Sequence, residues 1–144
     1  MFGVLSGVLA GGAIGNYLER QERDRAAAAI AISYLPEQGE MLKIESVEAS
    51  PGTARRGEVV NLTSTYTILN PNNRPITIRE TREVRHQGLL VGNSFIDVQR
   101  TNGTFTSTLP ITLPRNTQAG SYEVTTTVSK DQQTSQSLAT FTVQ

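Results

Sequence analysis

The chain has 144 residues, no cysteine, a single histidine, and 13 basic against 13 acidic residues, so its net charge is zero. This composition excludes disulfides, thiolate metal sites, a cysteine nucleophile and any site built from several histidines. It also lacks the electrostatic footprint of a dedicated nucleic-acid binder, and the length suits one ordinary domain plus an appendage.

The first stretch carries Gly3, Gly7, Gly11 and Gly15 inside an apolar run that ends at Asn16-Tyr17 and turns charged from Glu19 to Arg25. Glycine costs about 1 kcal/mol relative to alanine within a helix, so four in register serve close packing of one helix on another, above all in a membrane. About 20 apolar residues cross a bilayer; Met1 to Leu18 falls slightly short and would need Tyr17 and Arg20 at the interface. The segment has an apolar core of signal-peptide length but no preceding Lys or Arg. Met1 to about Leu35 therefore reads as one long helix or two stacked pieces. Glu19 and Arg23 stand at i and i+4, and Glu22 and Arg25 at i and i+3. Pro36 ends it, and Pro36-Glu37-Gln38-Gly39 marks a boundary between residues 1–36, the glycine-repeat helix with a charged, alanine-rich stalk, and a domain over 37–144.

Beyond Glu40 the apolar period falls to two. Leu42, Ile44 and Val47 give a strand that ends at Ser50-Pro51-Gly52. Val60, Leu62, Tyr66 and Ile68 share one face of the next, opposite Asn61, Thr63, Thr65 and Thr67. Asn70-Pro71-Asn72-Asn73 is a turn. Arg74 to Gln87 forms a strand rich in alternating charge, Leu89 to Val91 lies between Gly88 and Gly92, and Ser94 to Arg100 is another strand. Asn102-Gly103 signals a hairpin. Strands over Thr104–Leu113, Tyr122–Val128 and Leu138–Val143 complete the chain, with a loop over Pro114–Gly120. About seven short strands with turn residues between them predict an immunoglobulin-like antiparallel β-sandwich behind the N-terminal helix. Tyr122, just inside the penultimate strand, stands where such domains place a tyrosine corner whose hydroxyl ties back to the preceding loop.

The run from Gly3 through Gly11-Gly12-Ala13-Ile14-Gly15-Asn16-Tyr17-Leu18-Glu19-Arg20-Gln21-Glu22 resembles the glycine-zipper domain of bacterial envelope proteins. That group includes the 17-kDa surface-antigen family and lipoproteins that put such a helix before an OmpA-like domain. The resemblance covers about the first 25 residues and implies an outer-membrane or periplasmic location, with the helix packed on a second glycine-rich helix. That pattern puts a signal peptide, a lipidated cysteine and a first zipper helix ahead of such a stretch. The expectation is therefore that Met1 is not the natural start, or that the partner helix comes from another molecule. Residues 40–144 resemble bacterial immunoglobulin-like modules in general style only.

No catalytic constellation stands out. His86 lies among Arg82, Glu83, Arg85 and Gln87 without a nearby cysteine or second histidine. Glu80 and Glu83 could be imagined as a carboxylate pair for glycoside cleavage, but read better as cross-strand partners of Arg79, Arg82 and Arg85 on a solvated face. No Gly-x-Ser-x-Gly elbow or phosphate-cradling loop occurs. Arg74, Arg79 and Arg85 form a ladder that fits a solvated face better than an anion-binding one, and Asn61 and Asn102 head sequons of the glycosylation type.

The expected protein is a non-enzymatic envelope component without a cofactor. Gly3, Gly7, Gly11 and Gly15 are its helix-packing residues, and the sandwich presents a scaffold or protein-interaction surface. Its expected partners are sister or partner glycine-rich helices, a membrane and other envelope proteins, with homo-oligomer formation and no nucleic acid. A filament or assembly subunit with a buried glycine-rich helix, and a ligand-binding or adhesive module, are the alternatives.

Overall fold

A computed structural model describes residues 17–144. Gly3, Gly7, Gly11 and Gly15 lie outside them. The described residues begin with a strand, not a helix: β1 (Leu18–Arg23) leads through Asp24 into α1 (Arg25–Ala31), and a single 3-10 turn spans Pro36–Gln38. The long N-terminal helix is thereby overturned over the described residues 17–35. Its one helical piece among the described residues is seven residues long, started by the Asp24 carboxylate accepting from the Ala27 amide at 2.8 Å.

The reason is tertiary. Local i,i+4 pairing is worth only a few tenths of a kcal/mol. As a strand, residues 18–23 pair with a neighbouring strand from Leu18↔Thr108 to Arg23↔Thr104. Glu19 and Arg23 then serve different partners, Arg100 and Glu45.

The remaining strands are β2 (Met41–Ser50), β3 (Thr53–Ala54), β4 (Val59–Leu69), β5 (Ile76–His86), β6 (Leu89–Arg100), β7 (Gly103–Thr112), β8 (Gly120–Lys130) and β9 (Gln133–Val143). They form two sheets, ordered β1-β7-β4-β2 and β3-β9-β8-β5-β6. All pairings are antiparallel except the two-residue β3, which runs parallel to β9. In immunoglobulin terms β2, β4 and β7 are strands A, B and E of one sheet. β5, β6, β8 and β9 are C, C′, F and G of the other, with β3 as a short A′ beside G. The chain passes straight from C′ to E, and the place of the D strand beside E is taken by β1, which precedes strand A in sequence. The expected immunoglobulin-like sandwich is present, but nine strands build it among the described residues, and the N-terminal one stands where the sequence predicts helix.

Two crossings between the sheets lie at one end. Asn70–Asn73 carries the chain from β4 to β5, and Thr101-Asn102 carries it from β6 to β7, so Asn102-Gly103 makes a sheet crossing rather than a hairpin. Asn102 ties the two together: its Oδ1 accepts from the Asn70 amide and side chain, both at 2.9 Å, and its Nδ2 donates to the Asn70 carbonyl at 2.8 Å. The Asn102 side chain is buried. Gly103 adopts φ +156, and a Cβ there would lie 2.7 Å from the Arg23 carbonyl, so glycine at this point lets β1 approach.

The interior divides into two apolar clusters. The larger includes Leu62, Leu109, Ile111, Tyr122, Val124 and Phe141. The smaller includes Ile44, Tyr66, Ile68, Ile78, Phe105 and Val128. Between them lies a polar seam.

Candidate functional site: a charged seam closed by the first strand

The seam follows from strand parity. In β5, Ile78, Glu80, Arg82, Val84 and His86 share the inward face, and Arg79, Thr81, Glu83 and Arg85 the outward one. Glu80 is 0% and Arg82 2% exposed, so these two charges stand between the sheets. The solvated charge face expected for residues 79–85 thus holds only for the odd positions. Arg79 pairs with Asp97 at 2.8 Å and lies 4.3 Å over the Phe95 ring, and Arg85 pairs with Glu83 at 3.5 Å. The Arg79 guanidinium holds the Asp97 carboxyl below its usual range. Glu80 and Glu83 point to opposite faces and form no carboxylate pair.

Side chains from β4, β5 and β6, and from Tyr17 just before β1, converge on Glu80. Its Oε1 accepts from the Tyr17 hydroxyl at 2.8 Å and lies 3.5 Å from Arg82 Nη1. Its Oε2 accepts from the Tyr66 hydroxyl of β4 and lies 3.5 Å from Arg100 Nη2 of β6. Arg100 donates from Nε to the Tyr66 oxygen at 3.1 Å, and from Nη2 to the Tyr17 oxygen at 3.2 Å and to Glu19 at 3.0 Å. It also packs 4.8 Å over the Phe105 ring. Arg82 donates from Nη2 to Ser107 Oγ at 3.0 Å and to Ser64 Oγ at 3.3 Å, and those two hydroxyls lie 3.0 Å apart. Its Nε is buried without a protein partner.

Two arginines thus face the buried Glu80 and the half-exposed Glu19. A buried charge is tolerated only when paired and hydrogen-bonded. Burial, then the Glu80 carboxylate, pushes the Tyr17 and Tyr66 hydroxyls well above the usual tyrosine range. Burial opposes the charge on Arg100, yet the Glu19 carboxylate and the Tyr66 hydroxyl hold its pKa above the ordinary arginine value.

Sequence reasoning missed this seam, although a signal was present. Extending the apolar register of Ile78 and Val84 through the strand places Glu80, Arg82 and His86 on the core side. Nothing comparable marked Tyr17 and Glu19, which reach the seam only because β1 fills the D position.

On the outer face of the four-stranded sheet, threonines face one another in register. Thr63–Thr108, Thr65–Thr106 and Thr67–Thr104 hydroxyls are 3.1, 2.9 and 2.7 Å apart. Thr67 donates to Glu45 at 2.6 Å, and Glu45 takes Arg23 Nη1 at 2.9 Å, a second tie between β1 and the body of the sheet.

The far end of the sandwich is built differently. Tyr122 donates to the Gln118 carbonyl at 2.7 Å, the corner bond expected from its position. Its ring stacks between His86 at 4.3 Å and Phe141 at 5.2 Å. His86 Nδ1 lies 3.0 Å from the Ser121 carbonyl, so Nδ1 carries the proton and donates. Gly120, at φ +129, leaves His86 room: a Cβ there would sit 3.0 Å from the imidazole.

Among the described residues no group of three or more His, Asp or Glu is placed to hold a metal, and no helix is long and apolar enough to cross a membrane. No family model matches the chain, and no curated protein matches it. Among solved structures it is similar to the alkylpurine DNA glycosylase AlkC of Pseudomonas fluorescens bound to DNA containing an abasic-site analogue. The TM-score is 0.55 at 16% identity, over 72% of this chain and 30% of that one. It is also similar to a β-glucosidase of Listeria innocua (TM-score 0.48, 14% identity, 72% of this chain and 16% of that one). A third similarity is to the CARDB domain of PF1109 from Pyrococcus furiosus (TM-score 0.46, 13% identity, 72% and 91%). The chain spans under a third of the glycosylase and of the glucosidase. At these identities the likeness shows the fold alone.

Proposed function

We propose that the protein is a non-enzymatic module of a bacterial cell envelope, in which the repeat of Gly3, Gly7, Gly11 and Gly15 associates with a membrane or with glycine-rich segments of sister copies. The sandwich follows as a scaffold or protein-interaction surface. The observation that carries this reading is the position of Tyr17. Two residues beyond Gly15 the chain is already bonded to Glu80 and Arg100 inside the sandwich. Whatever holds the glycine repeat therefore holds the folded body directly, without a loose stalk. The polar groups of the interior also favour a structural role, since Glu80, Arg82 and Arg100 are enclosed and bonded to one another rather than presented to a substrate.

The test is the full chain carrying Gly7→Leu and Gly11→Leu, compared with wild type by membrane fractionation and light scattering. Loss of membrane partition or self-association with an unchanged thermal melt is the expected result. Unchanged partition and unchanged mass would overturn this reading.

A further inference from the structure

We infer that β1 is an exchangeable strand: the slot between β7 and β6 that holds it within one chain also accepts the β1 of a second copy. The sandwich body from β2 to β9 is continuous without it, because the chain runs from β6 to β7 through Thr101-Asn102 and supplies no D strand of its own. The slot is nonetheless specific. It requires a tyrosine whose hydroxyl meets Glu80 and Arg100, and an acid two residues later that meets Arg100. Tyr17-Leu18-Glu19 supplies both, and every copy of the chain carries the same segment.

Tyr17 packs against the larger apolar cluster; beyond it the hold on β1 is polar. Leu18 through Gln21 are exposed, so little apolar area leaves water when the strand docks. Segments with few buried apolar contacts open at free energies well below that of global unfolding. The tether permits the exchange. Residues 24–40 join β1 to β2, which lies at the opposite edge of the same sheet, about 14 Å away at three strand spacings. Extended, that tether would reach roughly 55 Å. Its helix α1 packs on β7 and β4 with Ala28 as its one buried residue and leaves Ile30 exposed, so freeing it exposes little apolar surface. An exchange in which each copy fills the other's slot closes as a two-fold dimer. Residues 17–144 alone carry this inference, and it does not depend on the glycine repeat.

The absence of native cysteine gives a direct test. Leu18 and Thr108 are Cα partners across β1 and β7, within the span of a disulfide. The full chain with Leu18→Cys and Thr108→Cys, also carrying Gly7→Leu and Gly11→Leu, is warmed below its melt under reduction, cooled and oxidised. A non-reducing gel should show intrachain bridges at high dilution and covalently joined chains whose share rises with concentration. Intrachain bridges alone at every concentration, or no bridge at all, would overturn the inference. A second arm uses the same glycine variant without cysteines, as isotope-labelled and unlabelled copies warmed together and read by native mass spectrometry. Mixed dimers support exchange; unmixed monomers overturn it.

Discussion

Tyr122 and Tyr66 are both 0% exposed and both bonded through their hydroxyls, yet they close the sandwich by opposite means. Tyr122 sits in an apolar stack with His86 and Phe141 and bonds to a carbonyl four residues upstream. Tyr66 bonds to a carboxylate from the other sheet and accepts from an arginine at the end of β6. One end is local and neutral, the middle long-range and charged. A neutral buried bond adds about 1 kcal/mol, and bonds to charged groups about 1.5–3. The charged seam is also brittle, because each partner removed leaves another charge buried and unpaired.

The largest effect that would break this contrast is at Glu80. Glu80→Ala leaves Arg82 and Arg100 without their buried carboxylate and should lower stability by about 3–5 kcal/mol, read by chemical denaturation. A cost near that of an average surface change would mean that the seam is already hydrated. Next, Tyr66→Phe should cost about 2 kcal/mol and Tyr122→Phe about 1. The reverse order would place the stronger tie at the corner.

The smallest effect concerns alkali. Tyr17 and Tyr66 have folded pKa values raised above the ordinary 10.0, first by burial and then by Glu80. The stability they contribute is complete below pH 10 and falls as pH rises above it, because the unfolded chain releases protons that the folded one retains. Burial raises Tyr122 as well, but no carboxylate is among the causes. Tyr66→Phe should therefore flatten the alkaline fall more than Tyr122→Phe does. Equal slopes would remove Glu80 from the explanation.

What the sequence disclosed divides along the same line. Period-two patterning, the asparagine-rich turn and the placement of Tyr122 are local signals, and they mark the two-sheet class, the corner and the strands from β2 onward, apart from the two-residue β3 and the unbroken run of β6 through Gly92. The seam needs contacts across long separations: Tyr17 with Glu80, Arg100 with Glu19. Charged residues with good helix propensity at 18–23 gave no period-two apolar signal, since the strand they form is exposed along almost its whole length. Helix propensity is a weak prior that a docked edge overrides. Asn102-Gly103 shows the same limit, because its turn chemistry is real but joins two sheets instead of two neighbours in one.

The most direct measurement is of backbone contacts at β1 by NMR on the full chain. Cross-strand contacts of Glu19 with Ser107 and Gln21 with Phe105 are the predicted result. Helical contacts between residues three apart over 17–24, with none to β7, would contradict the clasped sandwich described above.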